Sequence, residues 1–152
     1  MFSKFPFFKQ SDAMDCGPAC LRMIAKFYGK NFTLPELREK SFIDREGVSL
    51  LGISYAAESI GFRTMSVKIP FQQIVDEDVV PFIAHWRQKH FVVVYKVTKN
   101  KVYVADPAYG LIKMTKQEFR GMDDRNWSKL NSAQKQAWMK QRKEFFDQKR
   151  QE

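Results

Sequence analysis

The sequence predicts an α+β domain, with an N-terminal helical part packed on an antiparallel β-sheet. Two observations carry that class. Helix caps and apolar stripes at helical spacing dominate up to Gly61, and short β-rich runs bounded by turn residues take over after it. Helices first and strands second is the layout of segregated α+β architecture. No internal repeat or low-complexity stretch interrupts it.

The first helix is expected over residues 15–28, with Pro18 in its first turn, an apolar stripe of Leu21, Ile24, Ala25 and Tyr28, and Gly29 as its stop. Thr33-Leu-Pro-Glu36 is a capping box that opens a short helix ending about Lys40. Ser49 caps a third helix from Leu50 to Ile60, which Gly61 ends. Phe62 to Ile69 alternates loosely as a strand, and a short helix is expected near Pro70–Asp76. Val79–Trp86, His90–Val97, Lys101–Ala105 and Gly110–Met114 read as strands. The domain is expected over residues 1–121. Residues 122–152 form a basic, polar, helix-favouring tail with Trp138, Phe145 and Phe146 as sparse apolar points, read as helical or partly disordered.

Composition narrows the function classes. No run of about 18 apolar residues exists to span a membrane, and Met1 to Lys9 lacks the pattern of a signal peptide, so a cytosolic location is expected. The net charge of +9 is scattered, with eight of the 26 Lys and Arg from Arg125 onward, and no stacked-aromatic or Gly-rich RNA motif accompanies it; no nucleic-acid partner is expected. Cys16 and Cys20 are four apart on one helix, a poor disulfide geometry, and with His85 and His90 they match no common zinc spacing. No metal or other cofactor is expected.

The chemistry-bearing residues are few. Cys16 lies in Gln10-Ser-Asp-Ala-Met-Asp-Cys16-Gly17-Pro18, where a polar loop turns into a helix. A thiol there meets unpaired backbone N–H groups and the positive end of the helix dipole, both of which favour thiolate. A free cysteine is most often a buried structural residue, and Cys20, one turn deeper beside Leu21 and Ile24, fits that role. Cys16 instead precedes Gly17-Pro18 at the helix start, off the apolar stripe, and reads as a nucleophile. His90 heads an apolar strand and Asp106 ends the next, which gives nucleophile, base and base-orienter in the order Cys, His, Asp. His85 competes as base, but its better fit is to cap or to pack beside Trp86. Gln10 is placed to donate to an oxyanion, with the Cys16 N–H as second donor.

Register decides whether the His and Asp can meet. A two-residue loop, Lys99-Asn100, would put them on opposite faces of the sheet. A three-residue loop, Thr98-Lys99-Asn100, pairs Val97 with Lys101 and Val92 with Asp106, leaving His90 and Asp106 on one face about 7–8 Å apart at the backbone. The odd loop is expected.

Four segments in order then resemble a known family: Gln10-x-Asp12-x-x-Asp15-Cys16-Gly17-Pro18-Ala19-Cys20-Leu21; Gly47-Val-Ser-Leu-x-Gly52-Ile-x-x-Ala56-Ala57-x-x-Ile-Gly61-Phe62; Pro81-Phe-Ile-Ala-His85-Trp86-x-x-x-His90-Phe-Val-Val93; and Asp106-Pro-Ala-x-Gly110. They are similar to the C39 family of bacteriocin-processing cysteine peptidases, the peptidase domains of certain ABC transporters. The resemblance implies a papain-like fold and cleavage of a precursor peptide after a Gly-Gly pair ending its leader. It also implies export through transmembrane and ATPase domains, in the same polypeptide or separate, and a place at the cytoplasmic face of the bacterial inner membrane. It assigns Cys16, His90, Asp106 and Gln10 as nucleophile, base, orienter and oxyanion donor. Tyr55, Phe82 and Trp86 are candidates for a leader groove. The rival from another class is a leader-binding module that docks cargo without cutting it.

Overall fold

A computed structural model of the chain describes residues 5–12, 14–43, 47–68, 71–86, 90–120 and 131–151. Three helices come first: α1 Cys16–Phe27, α2 Leu34–Lys40 and α3 Leu50–Ser59. Their ends follow local chemistry. Thr33 Oγ1 accepts the Glu36 N–H while Glu36 returns the bond to the Thr33 N–H, a closed capping box with Pro35 in the first turn. Ser49 Oγ accepts the Gly52 N–H at the start of α3. Helix α4 spans Phe71–Glu77.

Four strands follow, β1 Phe82–Trp86, β2 His90–Val97, β3 Lys101–Asp106 and β4 Gly110–Thr115, in one antiparallel sheet of order β1-β2-β3-β4. Helix α5, Lys116–Arg120, was not expected, although Thr115 and Glu118 cap each other reciprocally at its start. Helix α6, Ser132–Gln151, occupies much of the tail and opens on a similar exchange between Asn131 and Gln134. The Arg87–Lys89 connection and the 122–130 part of the tail lie outside the described residues. No helix among the described residues is long and apolar enough to cross a membrane.

The core has three parts, and alternation along the strands sorts two of them. On one face Phe91, Val93 and Ala105 meet Phe5, Cys16, Cys20 and Met23. On the other Trp86, Val92, Val94, Val102, Val104, Ile112 and Met114 pack together, with Phe119 of α5 against them. The third joins the helices through Leu21, Ala25, Leu37, Ala56, Ala57 and Ile60.

Two expectations are corrected. Residues 62–68 are not a strand. Met65 and Val67 are exposed, so their alternation finds no neighbouring edge to pair with and no face to bury. The hairpin between β2 and β3 has the even, two-residue loop. Val97 pairs with Val102 and the Thr98 N–H donates to the Lys101 carbonyl. The register then shifts between Val94 and Lys96, so that Val94 faces Val104 and Val93 faces Ala105. Tyr95 is thus the extra residue of a β-bulge. It restores, near Asp106, the register that the odd loop was expected to supply.

Close packing of α3 depends on Gly52, where a β-carbon would run into the Ser41 carbonyl oxygen and press on Val48. Ser41 is itself buried, its hydroxyl donating to the Leu37 carbonyl. Gly52→Ala therefore forces backbone apart, and differential scanning calorimetry should record a loss of about 2–3 kcal/mol, roughly 8 °C in Tm for a chain of this size.

Candidate active site

The loop before α1 is folded by Asp12. Its carboxylate accepts the Met14 N–H at 2.8 Å, and its carbonyl accepts the Asp15 N–H at 3.1 Å. Asp15 occupies the N-cap position without a side-chain cap, so the first N–H groups of α1 have no partner from within the helix or from that carboxylate. Cys16, the first helical residue, is buried at 6% exposure. Gly17 lets this end of α1 sit against its neighbours, since a β-carbon there would come within 3.0 Å of Ile53.

Asp106 ends β3 and is wholly buried. The turn after it fixes the carboxylate: Oδ1 accepts the Ala108 N–H at 2.9 Å, and the Asp106 carbonyl accepts the Tyr109 N–H at 3.0 Å. The same Oδ1 lies 2.7 Å from His90 Nε2, whose side chain is 11% exposed. His90 and Asp106 share a face because the Tyr95 bulge sets the parity between β2 and β3. His85 was expected to cap or pack beside Trp86. It is exposed, and its ring stacks on Phe91 at 4.6 Å, because adjacent strand residues point to opposite faces.

Three further features bring Cys16 and Gln10 to this end of the sheet. Cys16 packs in one cluster with Phe91 and Ala105, which are next in the chain to His90 and Asp106 but, by alternation, on the other face of the sheet. Burial pushes the Cys20 thiol well above the ordinary range, and the charges of Cys16 and Asp106 add to the rise. The two groups thus lie close enough for one thiol to feel both, and Cys20 stays a neutral packing residue. Finally, the Gln10 N–H donates to the Pro107 carbonyl at 2.9 Å, tying the loop before Cys16 to the turn after Asp106. The Gln10 Oε1 atom is buried and accepts no hydrogen bond.

One pair had no sequence signal beyond the presence of Asp15. Its carboxylate is fully buried and 3.0 Å from Arg38 Nε of α2. Burial pushes the Asp15 carboxyl up, Arg38 pulls it down, and the nearby Asp12 charge adds to the rise. Of the groove candidates, Trp86 is a core residue and Phe82 is half-buried against the same cluster, while Tyr55 on α3 is exposed and meets Phe42 edge-on. Among the described residues, no group of three or more His, Cys, Asp or Glu side chains could hold a metal ion.

A helical part carrying a cysteine at a helix start, set on a sheet that presents a His–Asp pair, is the arrangement of the papain-like cysteine peptidases. The fold agrees with solved structures of that class. The peptidase domain of Streptococcus ComA, a bifunctional ABC transporter of a quorum-sensing pathway, superposes with a TM-score of 0.74 at 35% identity over 78% of this chain and 92% of that one. A double glycine motif protease from an AMS/PCAT transporter, solved with its leader peptide, gives 0.73 at 31% identity over 76% and 83%. The sequence model of the Peptidase C39 family matches residues 4–131, and the chain belongs to that family. Curated relatives include the lactococcin-G-processing and transport ATP-binding protein LagD of Lactococcus lactis, 41% identical over 72% of this chain. The colicin V secretion/processing ATP-binding protein CvaB of Escherichia coli is 34% identical over 76%. The chain spans 16% of the length of each.

Proposed function

We propose that residues 1–121 are a cysteine endopeptidase domain that cuts a precursor peptide after a Gly-Gly pair at the end of its leader. Residues 122–152 are then a tail outside the catalytic unit. The observation that carries this reading is the 2.7 Å bond between His90 Nε2 and the buried Asp106 carboxylate, at the end of the sheet where α1 presents Cys16. With Nε2 engaged, Nδ1 is the nitrogen that serves the sulfur. The Cys16 thiolate attacks the carbonyl carbon of the second glycine, and the Cys16 N–H and the Gln10 side chain stabilise the oxyanion. A carboxamide whose oxygen is uncommitted can turn its N–H group toward that charge. The imidazolium of His90 protonates the leaving amine. His90 then takes a proton from water, which attacks the thioester and releases the leader.

The relatives named for processing and transport, and the protease solved with a leader peptide, support a leader-bearing precursor as substrate. They also support transmembrane and ATPase domains of an ABC transporter as partners, which would hold the domain at the cytoplasmic face of the membrane. The test offers peptides with Gly-Gly, Gly-Ala and Ala-Ala before the cut. Cleavage is expected for Gly-Gly alone, and indifference to those residues would refute the assignment. Gln10→Ala should lower kcat about 10²–10³-fold with KM little changed, the signature of a donor used only in the transition state.

A further inference from the structure

Asp15 and Arg38 take no part in the steps above, yet they border the nucleophile. The Asp15 carboxylate belongs to the residue before Cys16, is fully buried, and makes no hydrogen bond at the head of α1. Left alone, such a charge would be costly and would oppose a second negative charge on the neighbouring sulfur. The cation that meets it comes from another element. Arg38 is 40% exposed and follows Leu37, which is buried in the core, on a helix whose start is locked by the Thr33–Glu36 box.

We propose that Asp15 and Arg38 are positioning residues for the cleavage reaction: Arg38 fastens the nucleophile loop to α2 and cancels the carboxylate beside Cys16, so that the sulfur can ionise. This rests on Cys16 being the nucleophile. Among the described residues, the other charged or titratable groups on this side include Asp12 in the loop, Cys20 on α1, and His90 and Asp106 from the sheet. Against Gly17 the α3 side presents apolar Val48 and Ile53. On α2, Glu36 is spent on the cap, and Glu39 and Lys40 are exposed.

A purely structural pair and an electrostatic one respond differently to removal of either half. The experiment measures the pH dependence of Cys16 alkylation by iodoacetamide on the full chain, localised by tandem mass spectrometry, with Gly-Gly peptide cleavage followed in parallel. Asp15→Asn removes the anion and should move the alkylation midpoint down by about 0.5 pH units, a modest shift because Arg38 is partly solvated. Arg38→Gln should move it up by a similar amount. The double variant should return near the parent value, and Arg38→Lys, which keeps the charge, should stay near it. Single variants that shift in the same sense, or not at all, overturn the proposal. If Arg38→Gln fails to fold by circular dichroism, Asp15→Asn alone decides, and a midpoint that stays or rises overturns it. Cleavage that persists after complete Cys16 alkylation would instead sink the nucleophile reading, whatever the midpoints do.

Discussion

Cys16→Ala should abolish cleavage of a Gly-Gly peptide, with a fall of roughly 10⁵–10⁶ in kcat, the scale seen when a covalent nucleophile is deleted. The fold should survive. Cys16 is a small buried residue in a cluster of larger side chains, so removing one sulfur costs about 1 kcal/mol. Docking of the uncut peptide should persist, measured by isothermal titration calorimetry. Cys20→Ala is the matched control: its thiol is fully buried and held neutral, so its loss should affect stability and leave the rate within a few fold. Comparable activity in Cys16→Ala and the parent would end the peptidase reading and leave a docking module.

Asp106→Ala should be the next most damaging change, and Asp106→Asn much milder. One oxygen, Oδ1, serves both the Ala108 N–H and His90 Nε2. Alanine strands both, leaving the part-buried Ala108 N–H without that acceptor and the imidazole without the oxygen that holds Nε2. Activity should drop about 10³–10⁴-fold, with a stability cost on the order of 2 kcal/mol. In the asparagine variant the Ala108 N–H selects the amide oxygen for that position, so the oxygen still faces Nε2. What is lost is the charge that steadies an imidazolium, and a fall of about 10–100-fold is expected. Steady-state kinetics and thermal melts on the two variants check this order. Equal damage from both would mean that the charge, not the shared oxygen, governs the imidazole.

The parts legible in the sequence were those written in local chemistry. Thr33, Ser49 and Gly61 mark helix ends through caps and stops that act within one turn, and the Asp106–Gly110 turn announces itself by composition. Cys16 was visible because a helix start is itself a local signal. The misread parts depend on partners distant in the chain. Phe62–Lys68 alternates like a strand, but no sheet edge receives it. The run Phe91-Val-Val-Val94 is buried on both faces, so its pattern cannot reveal where an extra residue enters, and the bulge at Tyr95 was invisible. The Thr115–Glu118 exchange was present to be read but sat behind a strand that masked it. Arg38 offers no hint, by spacing or by type, that it reaches back to residue 15.

The bulge has an evolutionary corollary. Because the hairpin tip is even, a slip that drew Tyr95 into the ladder opposite Val104 would leave a sound ladder of strands while rotating the imidazole away from its carboxylate. The molecule would fold and fail. Loss of Tyr95 itself would keep Val94 opposite Val104 and the imidazole in place, whereas a descendant that kept Tyr95 in line would need one residue more at Lys99-Asn100.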